Sequence, residues 1–122
     1  RIGDQARDIS EITLQFDDKP YIKKLEHIPQ MAKIVIEMVK DSVASYINRD
    51  LALATGLDKR DDVVDNLFEV VKKELVELLK KDTETANQVI LFMMIAKYIE
   101  RIGDHAVNIG EWVEYAITGA HS

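Results

Sequence analysis

VILFMMIAKYIERIGDHAVNIGEWV, residues 89–113, is apolar along two sides of a helix and acidic along a third. Its uninterrupted apolar run, residues 89–96, is far shorter than the roughly 20 residues of a membrane span. At about 100° per residue, Phe92, Ile95, Ala96, Ile99, Gly103, Ala106, Gly110 and Val113 gather in one arc, assigned to a bundle core. Gly103, Ala106 and Gly110 thin that arc, so a neighbouring backbone can approach closely. A second arc, nearly opposite, holds Leu91, Met94, Tyr98, Ile102, Ile109 and Trp112, with His105 among them. A helix apolar on two faces is buried on two faces. The plain reading is a wide core stripe; the sharper one, taken here as the expectation, is an interface with a second bundle. Between the arcs runs a third strip of Glu100, Asp104, Asn108 and Glu111, kept in line by steps of three and four.

The flanking sequence places this helix in a bundle. Asp82 is a plausible N-cap for it, and Gly119 suits the residue just past its end. Upstream, Leu53, Leu57, Val64, Leu67, Val71, Leu75 and Leu78 make one apolar face of a helix running to about Lys80. Asn48-Arg49-Asp50 closes the helix before it, which starts at Pro29, a residue tolerated in a first turn. That helix should bury Ile28, Met31, Val35, Met38, Val39, Val43 and Tyr46. Residues 28–118 thus read as three long helices with short turns, which must run up, down and up. The class is all-α, an elongated three-helix bundle. Its last two helices, at about 30 residues or more, reach roughly 45 Å. A further helix, Arg1 to about Phe16, ends at the breaker cluster Asp17-Asp18-Lys19-Pro20.

That extra helix repeats the phrase of the last one. RIGDQARDISE opens the chain at residues 1–11, and RIGDHAVNIGE returns at residues 101–111. Glycine inside a helix costs about 1 kcal/mol relative to alanine, so its reuse marks a duplicated module. Residues 1–18 are therefore read as the last helix of a truncated first repeat, 19–27 as a linker and 28–119 as a complete repeat. Ile2, Ile9, Ile12 and Phe16 match the second arc. The expectation is a homodimer, or a first helix folded back over that arc, because large exposed apolar patches are uncommon on monomers.

Composition narrows the function. The net charge of −6 over 122 residues repels phosphate backbones and acidic membranes, so nucleic-acid binding is not expected. With no cysteine, disulfides and thiolate metal sites are excluded. His27, His105 and His121 form no Glu-x-x-His motif of the ferritin-like kind. Nor is there a Ser-His-Asp order or a glycine-rich phosphate loop, so catalysis has no visible apparatus. A carboxylate-metal bundle enzyme is the rival reading.

The acids suggest cation binding. Asp61 and Asp65 stand four apart at the margin of an apolar face, and Glu100 and Asp104 repeat the spacing on the next helix. Partly desolvated carboxylates require cations, and these four with the Asn108 carbonyl could serve a hard cation. Oxygen ligands point to Mg²⁺, Mn²⁺ or iron before zinc. The same spacing at Glu37/Asp41, Asp58/Asp62 and Asp65/Glu69 warns that such pairs also arise as solvated or Lys/Arg-paired surface. Arg60 and Arg101 could supply that pairing.

The phrases IERIGDHAVNIGEWVEYAITG and DKRDDVVDNL together resemble the PhoU family, regulators of phosphate uptake built from two three-helix repeats. The family hallmark is a carboxylate, three residues, then Asp, found twice per repeat. Asp61 to Asp65 fits the first instance; Glu100 to Asp104, followed by Asn108, fits the second. The opening RIGDQARD supplies Asp4, and Asp8 where the second copy has Asn. The resemblance implies a non-enzymatic regulator, cytoplasmic and peripheral to the inner membrane. It would link the ATPase subunit of a phosphate ABC transporter to a sensor histidine kinase, with metal ions held by these carboxylates. It allows, as an alternative, an accessory domain of another phosphate transporter.

Overall fold

The computed structural model describes residues 25–119. The first predicted helix, with Asp4, Asp8 and the breaker at 17–20, lies outside the described residues. Within them the chain is helical: α1 His27–Asn48, α2 Leu51–Thr55, α3 Leu57–Lys81, a 3-10 turn Thr83–Thr85, and α4 Ala86–Thr118. At 33 residues and 1.5 Å per residue, α4 is about 50 Å long. Two cross-links fix α1 and α3 as antiparallel. His27 at the start of α1 meets Glu74 late in α3 at 2.8 Å. Arg60 early in α3 meets Asp41 late in α1 at 2.6 Å.

Turn chemistry explains the boundaries. Arg49 ends α1 in the left-handed region, φ 52° and ψ 46°, and Asp50 then caps α2 by accepting from the Leu53 N–H at 3.2 Å. Asp82 caps the 3-10 turn rather than α4 itself, accepting from the Glu84 N–H at 3.0 Å. Gly119, φ 72°, closes α4 by donating its N–H to the Tyr115 carbonyl. The helix expected to run unbroken to Lys80 is interrupted at Gly56, which ends α2 and opens α3. Glycine holds helical geometry least firmly after proline, and the bend lets α2 lie across α4. A Cβ on Gly110 would stand 2.6 Å from the Ala54 carbonyl oxygen and 2.8 Å from Leu57 Cδ1. The close backbone approach expected at Gly110 is therefore made by α2.

The core follows alternating steps of three and four. On α1 the fully buried positions are Met31, Val35, Met38, Ser42 and Ser45. Val43 and Tyr46, expected inside, are 46% and 72% exposed. Spacing overrides polarity here. Ser42 and Ser45 hold the register, and their hydroxyls donate within the helix to the Val39 and Ser42 carbonyls at 2.8 and 2.7 Å. On α3 the buried set is Leu57, Val64, Phe68, Val71 and Leu75. On α4 the predicted core arc is buried throughout. Ile102, expected on the outer interface, is only 1% exposed and belongs to this core. At that turn the apolar stripe simply wraps wider, as helix stripes commonly do.

Candidate metal centre

The register that buries Leu57 and Val64 on α3 passes through Asp61 between them. A carboxylate thus occupies a position built for an apolar side chain. Across the helix interface sits Gly103, where a Cβ would lie 2.9 Å from Asp61 Oδ1. The glycine that a sequence reading assigns to backbone approach instead makes room for this carboxylate. Asp61 Oδ1 is buried and has no hydrogen-bond donor among the described residues. One helical turn along α3, Asp65 turns the same way, and Asp104 comes from α4. Each of the three offers an oxygen within 4.8 Å of the other two.

The electrostatics reflect this crowding. Burial, then the Asp104 carboxylate beside it, pushes Asp61 up to about 7; Asp65 and Glu100 add to the repulsion. Asp65 is raised as well, by burial first and then by Glu100 and Asp104. Two ionised carboxylates only accept hydrogen bonds, so Asp61 and Asp104 can bond to each other only by sharing a proton. A multivalent cation would relieve the same repulsion.

The other predicted ligands lie differently. Glu100 flanks Asp65 but is tied to Lys97, 2.5 Å from its Oε1. Asn108 is exposed, one turn beyond Asp104 on α4. Arg60, a possible partner for these acids, is engaged by Asp41 instead, and Arg101 is exposed. Two acids of the look-alike pairs are held by lysines on their own helices: Glu37 meets Lys40 and Glu69 meets Lys72, at 3.9 and 3.0 Å. The three acids fit a hard cation by donor chemistry and by the orphaned Asp61 oxygen. Sequence reasoning missed Lys97 and Gly103 as parts of this site. The glycine facing an acid in register was the available signal; Lys97 stands three residues before Glu100, an ordinary helix-pair spacing that singles out no site.

On the outer face of α4, Leu91, Met94 and Trp112 are exposed, Trp112 at 68%. Tyr98 is partly buried against the core. Ile109 and Trp112 line a groove of about 310 Å³ with Tyr46, Arg49 and Ile117. His105 is exposed.

Fold and site together define a long antiparallel helical bundle with a carboxylate cluster set into one helix interface. The chain belongs to the PhoU family: residues 28–113 match the PhoU domain. It is 36% identical over 119 residues to the phosphate-specific transport system accessory protein PhoU homolog of Clostridium acetobutylicum, covering 98% of this chain and 54% of that protein. The similarly named protein of Deinococcus radiodurans is 30% identical, covering 98% of this chain and 56% of the relative. For that of Caulobacter vibrioides the values are 34%, 98% and 52%. The chain spans about half the length of the curated relatives it matches.

Proposed function

We propose that this chain serves as a non-enzymatic accessory regulator of phosphate uptake and phosphate-starvation signalling. It acts in the cytoplasm, peripheral to the inner membrane, between the ATPase subunit of a phosphate ABC transporter and a sensor histidine kinase. Support for the transport role comes from family membership and from the names of the relatives. No helix among the described residues is long and apolar enough to cross a membrane, consistent with a peripheral role.

The reading includes a cation site of Asp61, Asp65 and Asp104, with Glu100 at its edge; the orphaned Asp61 oxygen is the observation that carries it. Asn108, and by the repeat Asp4 and Asp8, belong to the matching motif positions. A bound Mg²⁺, Mn²⁺ or iron ion supplies charge neutralisation there. Asp61 and Asp65 from α3 and Asp104 from α4 then hold the two helices at a fixed spacing, so that loading stiffens the bundle. A cation that binds only the folded chain stabilises it by about 2.7 kcal/mol at a hundredfold excess over Kd.

The test is metal content after purification without chelator, followed by melting with and without Mn²⁺. Asp104→Asn should remove most of the Mn²⁺-dependent rise, while Glu37→Gln leaves it intact. Co-purification with the transporter ATPase and the kinase checks the partners. A parent protein whose melting temperature ignores both Mn²⁺ and Fe²⁺ would reduce the cluster to solvated surface.

A further inference from the structure

Two ammonium groups approach the ring of Phe68, buried on α3: Lys72 Nζ and Lys97 Nζ are each 5.3 Å from its centroid. The two lysines then diverge. Lys72 pairs with Glu69 on its own helix, outside the carboxylate cluster. Lys97, on α4, pairs with Glu100, whose side chain is only 12% exposed and borders Asp65. Lys97 is thus held from two sides, by the ring face and by the carboxylate at the edge of the acidic site. Among the described residues it is the one basic side chain ion-paired to an acid bordering the cluster, Arg60 being turned to Asp41.

We propose that Lys97 is the resident counter-charge of the cluster, an affinity-setting residue that competes with the incoming cation for Glu100. This rests on the cation reading given above. In the metal-free chain the Lys97 ammonium offsets part of the carboxylate repulsion. In the loaded chain the same ammonium is a like charge beside the cation, and Glu100 is shared or released. The Phe68 ring holds Lys97 at that distance through its negative face, so the repulsion persists after Glu100 turns. A positive charge about 6 Å from a divalent cation lowers its affinity on the order of tenfold in water-like surroundings, and less as salt screens it. Lys97 therefore keeps binding weak enough to be reversible.

The experiment is calorimetric titration of chelator-stripped chain with MnCl₂, paired with melting in EDTA. The chains compared are the parent, Lys97→Gln, Lys97→Met, Lys97→Arg and Lys72→Gln. Both neutral Lys97 variants should bind Mn²⁺ about tenfold tighter and melt lower than the parent in EDTA. Lys97→Arg and Lys72→Gln should stay within about twofold of the parent, since each keeps the charge next to Glu100. Lys97 is half exposed, so these variants are expected to fold, and circular dichroism checks that they do. A parent that binds Mn²⁺ alongside neutral variants that bind no tighter overturns the role of Lys97 alone. A parent that binds no Mn²⁺ overturns the cation site and this proposal with it.

Discussion

Asp61 concentrates the tension in the molecule. Its carboxyl, ordinarily near 3.8, is raised to about 7 by burial and by Asp104. Between those two values the folded chain holds a proton that the unfolded chain has released. Stability of the metal-free protein therefore falls as pH rises through this window and levels off above it; Asp65 acts in the same direction. The expected observation is a melting temperature in EDTA that is higher near pH 5 than near pH 8. Asp61→Asn removes the charge without changing the shape, so it should flatten this slope and raise the melting temperature at pH 8. Saturating Mn²⁺ should reverse the slope, because the ligating form is the deprotonated one. A metal-free parent with no slope, or an Asp61→Asn variant that keeps it, would show that Asp61 ionises normally.

Between elements, the two glycines of α4 make separable predictions. A Cβ at Gly110 meets the Ala54 backbone oxygen at 2.6 Å, and that oxygen belongs to a helix that must move as a unit. Gly110→Ala should lower stability by about 1–3 kcal/mol through overpacking, despite the roughly 1 kcal/mol that alanine contributes to helix propensity. A Cβ at Gly103 meets the end of a flexible side chain, Asp61 Oδ1 at 2.9 Å. Gly103→Ala should therefore melt near the parent yet bind Mn²⁺ much more weakly, since it displaces one ligand. Gly103→Leu adds bulk against Val35 and Met38 as well and should cost about 1–3 kcal/mol. Equal melting temperatures for parent and Gly103→Leu would contradict the packing of α1 and α3 on α4 around Gly103. Urea denaturation of the stripped proteins together with Mn²⁺ titration measures both quantities.

For the molecule as a whole, the outer face of α4 is the exposed apolar surface of interest among the described residues. Leu91, Met94 and Trp112 are exposed along it, and Tyr46 and Ile47 extend the apolar surface at the same end. Ile102 does not contribute, being inside the core. The chain is expected to self-associate through this face, and Trp112→Glu should shift the assembly toward monomer without lowering helicity. Sedimentation equilibrium with Trp112 fluorescence decides the matter. A monomer whose Trp112 is fully accessible to a soluble quencher would remove the interface reading.

Helix existence, the α4 core arc, and the Arg49-Asp50 and Gly119 boundaries were legible in linear order. Each depends on local propensity or on a three-four spacing that any isolated helix expresses. Register between helices is not local. Ser42 and Ser45 are buried while Val43 and Tyr46 are not, because the seam between helices accepts positions by geometry before polarity. Ile102 is core rather than interface for the same reason. Gly56 breaks a helix that its neighbours would continue, because α2 must cross α4 at Gly110. The spacing of Asp61, Asp65 and Asp104 can be read along the chain. That Asp61 faces a glycine, that Arg60 is taken by Asp41, and that Lys97 holds Glu100 depend on which helix packs against which. Those facts separate a converging cluster with an orphaned Asp61 oxygen from look-alike acids such as Glu37 and Glu69, which lysines already pair.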